Sequence, residues 1–146
     1  MTDSAPDTDL PRDLPQTDLP QSDDEWRERL TPEQFQVLRE AGTESAWSGA
    51  LLDEHREGVF TCGACHVPLF DSGTKFESGS GWPSFYEATS SDAVELIEDR
   101  AHGMVRVEVR CANCHSHLGH VFPDGPRPTG QRFCMNSLAL DFAPSE

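Results

Sequence analysis

The sequence predicts a mainly β domain of antiparallel strands, with a short helical segment on its N-terminal side. Three observations support this fold class. Short apolar runs separated by turns dominate from residue 58 onward, little helix is predicted after residue 50, and two C-x-x-C pairs each follow a strand candidate. Short strands that meet at turns are typical of antiparallel sheets, so we expect both cysteine pairs to lie on turns at strand ends.

Residues 1–24 are predicted to form a disordered acidic tail, followed by one folded domain at 25–146. The tail holds seven Asp, four Pro and a single Arg, with few large apolar residues. Such a composition cannot bury enough apolar surface to offset the entropy lost on ordering. An Asp-Leu-Pro triplet recurs in the tail at a period too short for a repeat fold, which leaves a docking motif as the alternative.

The helical segment is predicted in two parts, a helical turn at 26–30 and a helix that begins at Pro32. Thr31 is the expected N-cap, and Gln34 three residues later completes a capping box. Gly42 is expected to end this helix. We assign both parts to packing and not to chemistry.

Strand candidates follow along the rest of the domain. They lie at 59–61, 94–97, 104–109 and 118–122. In the third of these, Val105, Val107 and Val109 alternate with charged residues, which predicts a half-buried strand with the valines on the buried face.

The formal net charge of −15 excludes a nucleic-acid-binding function, because such proteins need a basic surface. We expect no membrane span and no signal peptide, and a cytoplasmic location follows as an expectation. Ten Arg accompany a single Lys in this acidic chain. This composition suggests a halophilic source, and a GC-rich genome combined with an acidic tail is the alternative.

The two C-x-x-C pairs predict a zinc site. Cys62 and Cys65 form the first pair, Cys111 and Cys114 form the second, and 45 residues lie between the two pairs. Four thiolates complete the tetrahedral coordination of zinc and leave no open position, so we expect the metal to be structural. Disulfide bonds and a redox-active C-x-x-C are the competing interpretations.

Cys134 is the one cysteine outside these pairs, and it lies between Arg132 and Asn136. The reactive form of cysteine is the thiolate, and a nearby positive charge lowers the thiol pKa from about 8.5. We therefore interpret Cys134 as a nucleophile, with a buried structural cysteine as the alternative. Sequence alternation toward Leu138 and Leu140 predicts that Cys134 shares a strand face with these leucines.

Two further segments carry residue types suited to a site. His117, His120 and Asp124 lie shortly before Cys134 in the chain, and imidazole and carboxylate groups are common proton donors and acceptors. Trp82 lies in a glycine-rich loop, which is a poor place for a tryptophan that only packs. We expect its indole to receive an apolar group of a ligand.

Together these motifs resemble the B-type methionine sulfoxide reductases, which reduce the R epimer of methionine sulfoxide. The resemblance extends from about residue 25 to 142, and both C-x-x-C pairs belong to it. Its other motifs are Gly-Trp-Pro-Ser-Phe at 81–85, His-Leu-Gly-His-Val-Phe-x-Asp-Gly-Pro at 117–126, and Arg-Phe-Cys-x-Asn-Ser at 132–137.

The resemblance implies a β-tent of two antiparallel sheets, with zinc at one end and the active site on the other side. It implies that Cys134 is the nucleophile, that polar residues surround it, and that two aromatic residues bind the substrate. The polar residues are His117, His120, Asp124, Arg132 and Asn136, and the aromatic residues are Trp82 and Phe122.

The implied reaction begins when the Cys134 thiolate, supported by Arg132, attacks the sulfoxide sulfur of an oxidised protein, peptide or free amino acid. His120, together with His117, protonates the oxygen. Methionine leaves, and Cys134 becomes a sulfenic acid.

Two positions depart from the family pattern. Ser80 stands where many members carry the cysteine that resolves the sulfenic acid, so we expect thioredoxin or a small thiol to reduce it directly. Phe133 stands where a tyrosine is common, which is expected to remove one hydrogen bond near the site.

Two other classes of function compete with the enzyme. A ligand-binding module on the same fold would keep zinc and an aromatic pocket but needs no nucleophile. A redox sensor would form a sulfenic acid at Cys134 without a sulfoxide substrate. The presence of Cys134 together with His117, His120, Asp124 and Arg132 favours the enzyme.

Overall fold

The computed structural model describes residues 22–100 and 103–145, so most of the predicted tail lies outside the described residues. Two α-helices, α1 (Asp23–Arg29) and α2 (Pro32–Glu40), precede the strands. The strands of this part of the chain are β1 (Gly58–Cys62), β2 (Pro68–Asp71), β3 (Lys75–Phe76), β4 (Ser84–Phe85), β5 (Val94–Asp99), β6 (Arg106–Cys111), β7 (His117–Phe122), β8 (Arg132–Met135) and β9 (Leu140–Pro144). None of the helices described has the length and apolar character needed to cross a membrane.

Both predicted helical segments form, and each begins at a capping residue. Helix α1 begins at Asp23, inside the segment assigned to the tail, because the Ser22 side chain accepts a hydrogen bond from the first turn. At α2 the backbone N–H of Gln34 donates to Thr31 Oγ1 at 3.1 Å, and the Thr31 N–H donates to Gln34 Oε1 at 3.0 Å. The predicted capping box is therefore confirmed.

The end of α2 differs from the prediction in detail. The left-handed residue is Ala41, with φ of 57°, and not Gly42. Gly42 is needed for a different reason, since its backbone N–H donates to the Gln36 carbonyl at 2.9 Å and a Cβ there would crowd that oxygen.

The strands form two antiparallel sheets, as predicted. The smaller sheet has the order β2-β1-β9, and the larger has the order β3-β4-β8-β7-β6-β5. Strand β8, which carries the suspected nucleophile, pairs with β4 and β7. Its backbone donors and acceptors are thereby satisfied on both sides, which holds this strand firmly in place.

The chain passes from the larger sheet to the smaller one between β8 and β9. A 3₁₀ helix at Ser137–Ala139 makes this transition, and the Ala139 carbonyl accepts a hydrogen bond from the Gly63 N–H at 2.8 Å. The predicted continuous alternation from Cys134 to the leucines is therefore wrong, because the 3₁₀ turn rotates the chain between the two strands.

Phenylalanine rings fill the space between the two sheets. Phe70 of the smaller sheet stacks on Phe85 of the larger one with ring centroids 4.5 Å apart, and Phe60 meets Phe85 edge-on at 5.0 Å. Phe133 contacts Phe70 at 5.6 Å, so its ring belongs to this core and not to the lining of the site. Truncating such a buried ring lowers the free energy of unfolding by about 3–5 kcal/mol, so these rings are a main part of the packing between the sheets.

Helix α2 packs beside the second cysteine pair. The Arg39 guanidinium donates to the Cys114 carbonyl at 2.9 Å and to Ser116 Oγ at 3.0 Å, and it lies 4.6 Å from the Trp26 ring. The two N-terminal helices are thus tied to the turn that carries the second C-x-x-C pair.

Candidate active site and metal centre

Strand register places Cys134 in the middle of the larger sheet, directly opposite His120 on β7 and Ser84 on β4. On β8, Arg132 and Cys134 are half-buried, whereas Phe133 and Met135 are buried. Because side chains alternate along a strand, the first two share the open face of the sheet and the latter two face the core. Cys134 therefore lies on the opposite face from the one that the leucine alternation predicted.

A glycine allows β7 and β8 to approach closely at this point. Gly119 lies opposite Met135, and a Cβ at Gly119 would overlap the Cys134 carbonyl oxygen and touch Met135. The Met135 side chain has no exposed surface, although Cys134 beside it faces outward.

A cavity of about 260 Å³ opens over this face of the sheet. It is lined by Thr43, Ser80, Trp82, Arg106, Gly119, His120, Phe122, Arg132, Cys134 and Asn136. The lining includes every predicted catalytic or substrate-binding residue except His117 and Asp124. Sequence reasoning missed Thr43 and Arg106, which come from segments that showed no motif.

Cys134 is held by a hydroxyl and a guanidinium but is largely withdrawn from water. Its Sγ lies 3.8 Å from Ser80 Oγ. Burial raises the pKa of the Cys134 thiol, while the Ser80 hydrogen bond and the charge of Arg132 lower it by less. The pKa is therefore raised overall, and the sequence-based expectation of a lowered pKa is wrong, because desolvation outweighs the flanking cation.

Arg132 is fixed by two of the residues that the sequence assigned to the site. Its Nε and Nη2 donate to the two carboxylate oxygens of Asp124 at 2.9 and 3.2 Å, and its guanidinium lies 4.5 Å from the Phe122 ring. This bidentate hydrogen bonding lowers the pKa of Asp124. Asp124 therefore orients Arg132 from outside the cavity and does not line it.

His120 lines the cavity and forms a hydrogen bond with the carboxylate of Asp99. Its Nε2 lies 2.9 Å from Asp99 Oδ2, and the same oxygen lies 3.3 Å from Nη2 of Arg106. The carboxylate accepts from Nε2, so Nδ1 remains as the ring nitrogen available to a substrate. Asp99 was missed from the sequence, because it lies 21 residues before its partner on a different strand.

His117 forms a second and deeper histidine–carboxylate pair. Its Nδ1 lies 2.7 Å from Glu108 Oε2, the residue is 4% exposed, and its buried Nε2 has no partner. Burial lowers the pKa of His117, and the Glu108 hydrogen bond only partly opposes this effect. The two imidazole rings lie 5.5 Å apart edge to face, so His117 supports His120 from the interior.

Strand β6 presents its charged side chains to the site, which corrects the prediction for this strand. Val105 and Val107 are exposed, whereas Glu108 is 8% exposed and Arg106 lines the cavity. The valine alternation indicated a strand correctly, and Val109 is buried as predicted, but Val105 and Val107 are exposed because only the end of this face near the second cysteine pair is covered by the core. Glu108 is paired with His120 in the register, so its side chain points to the histidines and is compensated there.

A chain of hydrogen bonds through Glu44 and Asn136 holds Trp82 against the end of β8. The Trp82 indole N–H donates to the Glu44 carbonyl at 3.0 Å, and the Glu44 N–H donates to Asn136 Oδ1 at 3.0 Å. The Asn136 amide in turn donates to the Leu118 carbonyl at 3.1 Å. Asn136 therefore positions the loop that carries the aromatic wall of the cavity. Nothing in the sequence distinguishes Glu44 from the many other acidic residues of this chain.

The four paired cysteines meet in one buried cluster, apart from Cys134. Their sulfur atoms all lie within 4.8 Å of one another, with Cys62 3.7 Å from Cys114 and Cys65 3.6 Å from Cys111. Four thiolates at about 2.3 Å from a tetrahedrally coordinated zinc would be about 3.8 Å apart. The distances are too long for disulfide bonds and fit a metal held by all four sulfurs.

The turns after each pair are alike. His66 and His115 follow the second cysteine of their pairs in left-handed conformation, with φ of 71° and 65°. Their backbone N–H groups donate to the carbonyls of Cys62 and Cys111, each at 2.8 Å. The same backbone turn therefore directs the two sulfurs of each pair toward a common point.

On this antiparallel β fold, a half-buried thiol lies in a cavity with an arginine and a histidine–carboxylate pair, a second such pair lies deeper, and a four-cysteine centre lies apart from them. This arrangement suits an oxidoreductase that uses a cysteine sulfur. A model of the SelR domain matches residues 30–144. The chain belongs to this family, whose curated members of high similarity are peptide methionine sulfoxide reductases of the MsrB type.

Relatives from distant organisms cover nearly the same span. The protein from Leifsonia xyli is 64% identical over 129 residues, which is 88% of this chain and 93% of the relative. The proteins from Thiobacillus denitrificans and Methanosarcina mazei are 55% and 53% identical, over 89% and 91% of this chain and 98% and 95% of their own lengths. All three carry the name peptide methionine sulfoxide reductase MsrB.

Proposed function

We propose that this protein reduces the R epimer of methionine sulfoxide to methionine, with Cys134 as the nucleophile. Membership of the SelR domain family supports sulfoxide reduction. The observation that carries the assignment of the nucleophile is the position of Cys134, which alone among the five cysteines faces the cavity, in register with His120.

The sulfoxide enters with its methyl group against Trp82 and its oxygen toward the histidines. Cys134 attacks the sulfoxide sulfur, and the oxygen takes a proton as the S–O bond weakens. The oxygen atom passes to the cysteine sulfur as the substrate S–O bond and the transient bond between the two sulfurs break, and methionine leaves. The sulfur of the substrate is reduced by two electrons while Cys134 is oxidised by two electrons to a sulfenic acid.

His120 is the proton donor in this proposal, and His117 is its support. His120 lines the cavity, and Asp99 behind it stabilises a positive charge on the ring. His117 is buried, and its lowered pKa favours the neutral ring at neutral pH. A neutral His117 beside His120 orients that ring without adding a second positive charge to the interior.

The raised pKa of Cys134 means that the resting enzyme carries a thiol at neutral pH. The nucleophile is then generated when substrate is bound and the thiol proton is transferred within the site. Arg132, held by Asp124, stabilises the negative charge that develops on the sulfur.

Zinc is the metal that we propose for the four-cysteine cluster. Cys62, Cys65, Cys111 and Cys114 would hold it, and with four protein ligands it supplies structural stability and no reaction chemistry. The cluster joins the turns after β1 and β6, which belong to different sheets. A metal there would clip the two sheets together at one end.

Regeneration of Cys134 requires an external thiol, for which we propose thioredoxin or a small thiol. Ser80 occupies the position beside Cys134, and its hydroxyl cannot form a disulfide with the sulfenic acid. The external thiolate attacks the oxidised Cys134 sulfur and water leaves, and a second thiol then releases the reduced cysteine. Intact-mass analysis after one turnover without reductant should show the gain of one oxygen atom.

The test is turnover of the two purified epimers of methionine sulfoxide, with dithiothreitol and with thioredoxin in parallel. We expect reduction of the R epimer only, and loss of activity to background in Cys134→Ser with its zinc content unchanged. Substantial residual activity in that variant, or equal rates for both epimers, would contradict the proposal.

A further inference from the structure

Trp47 is an exposed aromatic residue with an unusual backbone, beside the cavity but not in its lining. The side chain is 66% exposed, and φ is 69°, a left-handed conformation that is rare for a bulky residue. The Trp47 backbone N–H donates to the Gly81 carbonyl at 2.7 Å, and Gly81 immediately precedes Trp82. The loop thus holds a large apolar side chain outward at a fixed point.

The segment that contains Trp47 also forms one wall of the cavity. Thr43 lines the cavity, and the Glu44 carbonyl holds the Trp82 indole from behind. The Trp47 indole lies against Gly81, where a Cβ would come within 3.0 Å of its Nε1. Trp47 and Trp82 both line a small depression that adjoins the cavity. Trp47 therefore lies beside Trp82, next to the cavity.

The backbone role of Trp47 does not account for its side chain. Any residue with an N–H can donate to Gly81, and glycine or asparagine adopts a positive φ at lower cost than tryptophan. Strained backbone that presents an exposed aromatic ring is typical of binding sites, where tryptophan residues contribute much of the interface energy.

The cavity of about 260 Å³ is of the size that a single methionine sulfoxide side chain needs. We propose that Trp47 is the docking point for the polypeptide that carries the sulfoxide, and that it raises affinity for protein-bound over free methionine sulfoxide. The inference rests on the proposed function and names a determinant of substrate specificity at the rim of the same site.

The experiment compares two substrates with one reductant. Free L-methionine (R)-sulfoxide and a short peptide with one central methionine (R)-sulfoxide are reduced with dithiothreitol by the unaltered protein, Trp47→Ala and Trp47→Phe. Leu96→Ala is the matched control, because Leu96 is also an exposed apolar residue but pairs with Val109 on the sheet face away from His120.

We expect Trp47→Ala to raise KM for the peptide about fivefold or more, the loss typical of a truncated interface tryptophan. The KM for the free amino acid and both kcat values should stay unchanged. Trp47→Phe should retain most of the peptide affinity, and Leu96→Ala should match the unaltered protein.

Two results would overturn this inference. A peptide KM for Trp47→Ala equal to that of Leu96→Ala would remove the docking role. A parallel rise in KM for the free amino acid would make Trp47 a support for Trp82 instead. Failure of the unaltered protein to reduce either substrate would instead contradict the proposed function, and this inference with it.

Discussion

The five cysteine sulfurs of this protein lie in two regions whose surroundings differ sharply. In the metal corner, four sulfurs are buried within 4.8 Å of one another, so any charge on them needs a bound cation. At the cavity, the Cys134 sulfur has a hydroxyl at 3.8 Å, a guanidinium nearby and an opening to solvent. If Cys134 is the nucleophile and the other four sulfurs bind a metal, as proposed, their neighbours and access, and not the thiol itself, decide between the two roles.

The largest effect should come from removing one sulfur of the metal corner. Cys111→Ser leaves three ligands, and we expect loss of the metal and of most of the folding free energy, because structural zinc contributes roughly 10–16 kcal/mol in small peptides. Zinc content and far-ultraviolet circular dichroism would measure this. Cys134→Ser is expected to leave zinc content and circular dichroism unchanged. A folded Cys111→Ser protein with bound metal would show that the two kinds of cysteine do not differ in this way.

The next effect separates the histidines of the two regions. His120→Gln should lower kcat for methionine (R)-sulfoxide by roughly 10²–10⁴-fold, because it removes the proton donor from the cavity. His115→Gln is the matched control, as His115 is exposed beside Cys114 and pairs with Glu95 at 3.0 Å. Equal kcat values for the two variants would show that His120 does not donate the proton.

Alkylation by iodoacetamide should distinguish the sulfurs by their reactivity. The metal-bound protein should take up one label, at Cys134, and the rate should rise with pH through neutrality because burial raises the pKa of this thiol. The thiolate exists mainly above that pKa, so the rate should level off only above the ordinary thiol value of about 8.5. A plateau at lower pH, or labelling of the metal corner, would contradict this prediction.

The smallest effect concerns the hydroxyl beside the nucleophile. Ser80→Ala should shift the alkylation profile of Cys134 to higher pH, since the Ser80 hydrogen bond lowers the pKa of this thiol. Ser80→Thr keeps the hydroxyl and should leave the profile in place. A shift to lower pH in Ser80→Ala would mean that the hydroxyl favours the thiol and not the thiolate.

The residues with chemical motifs could be predicted from the sequence, and their geometric neighbours could not. The capping box at Thr31, the four-cysteine cluster and the cavity position of Cys134 all follow from local patterns of residue type. Asp99 and Glu108 escaped notice because a carboxylate becomes a histidine partner only through the register of β5, β6 and β7. Nothing local distinguishes these two acids from the others in an acidic chain.

Two buried faces are predicted from the same kind of pattern, and each prediction fails for a different physical reason. Both the valine alternation of β6 and the leucine alternation after Cys134 were assigned to a buried face by apolar content alone. In the structure, one alternating face of β6 buries Glu108 against His117, and the 3₁₀ helix at Ser137–Ala139 breaks the other pattern. Sheet faces that carry a site exchange apolar burial for paired charges, which hydropathy does not detect.

The direction of the Cys134 pKa shift was also wrong from the sequence, because flanking residues reveal charge but not burial. The cytoplasmic location, the halophilic source and the disordered tail stay predictions. Thermal unfolding in rising KCl would test the second of these.

The position of Met135 has a consequence for the durability of the molecule. Its thioether lies in the core directly behind the most oxidisable sulfur, separated from the cavity by the backbone of a single strand. A peroxide that enters the cavity reacts with Cys134, whose sulfenic acid thiols can reduce, and does not reach the buried Met135 side chain. The structure thus protects Met135, the methionine next to the cavity, from the kind of oxidation that this family of enzymes reverses.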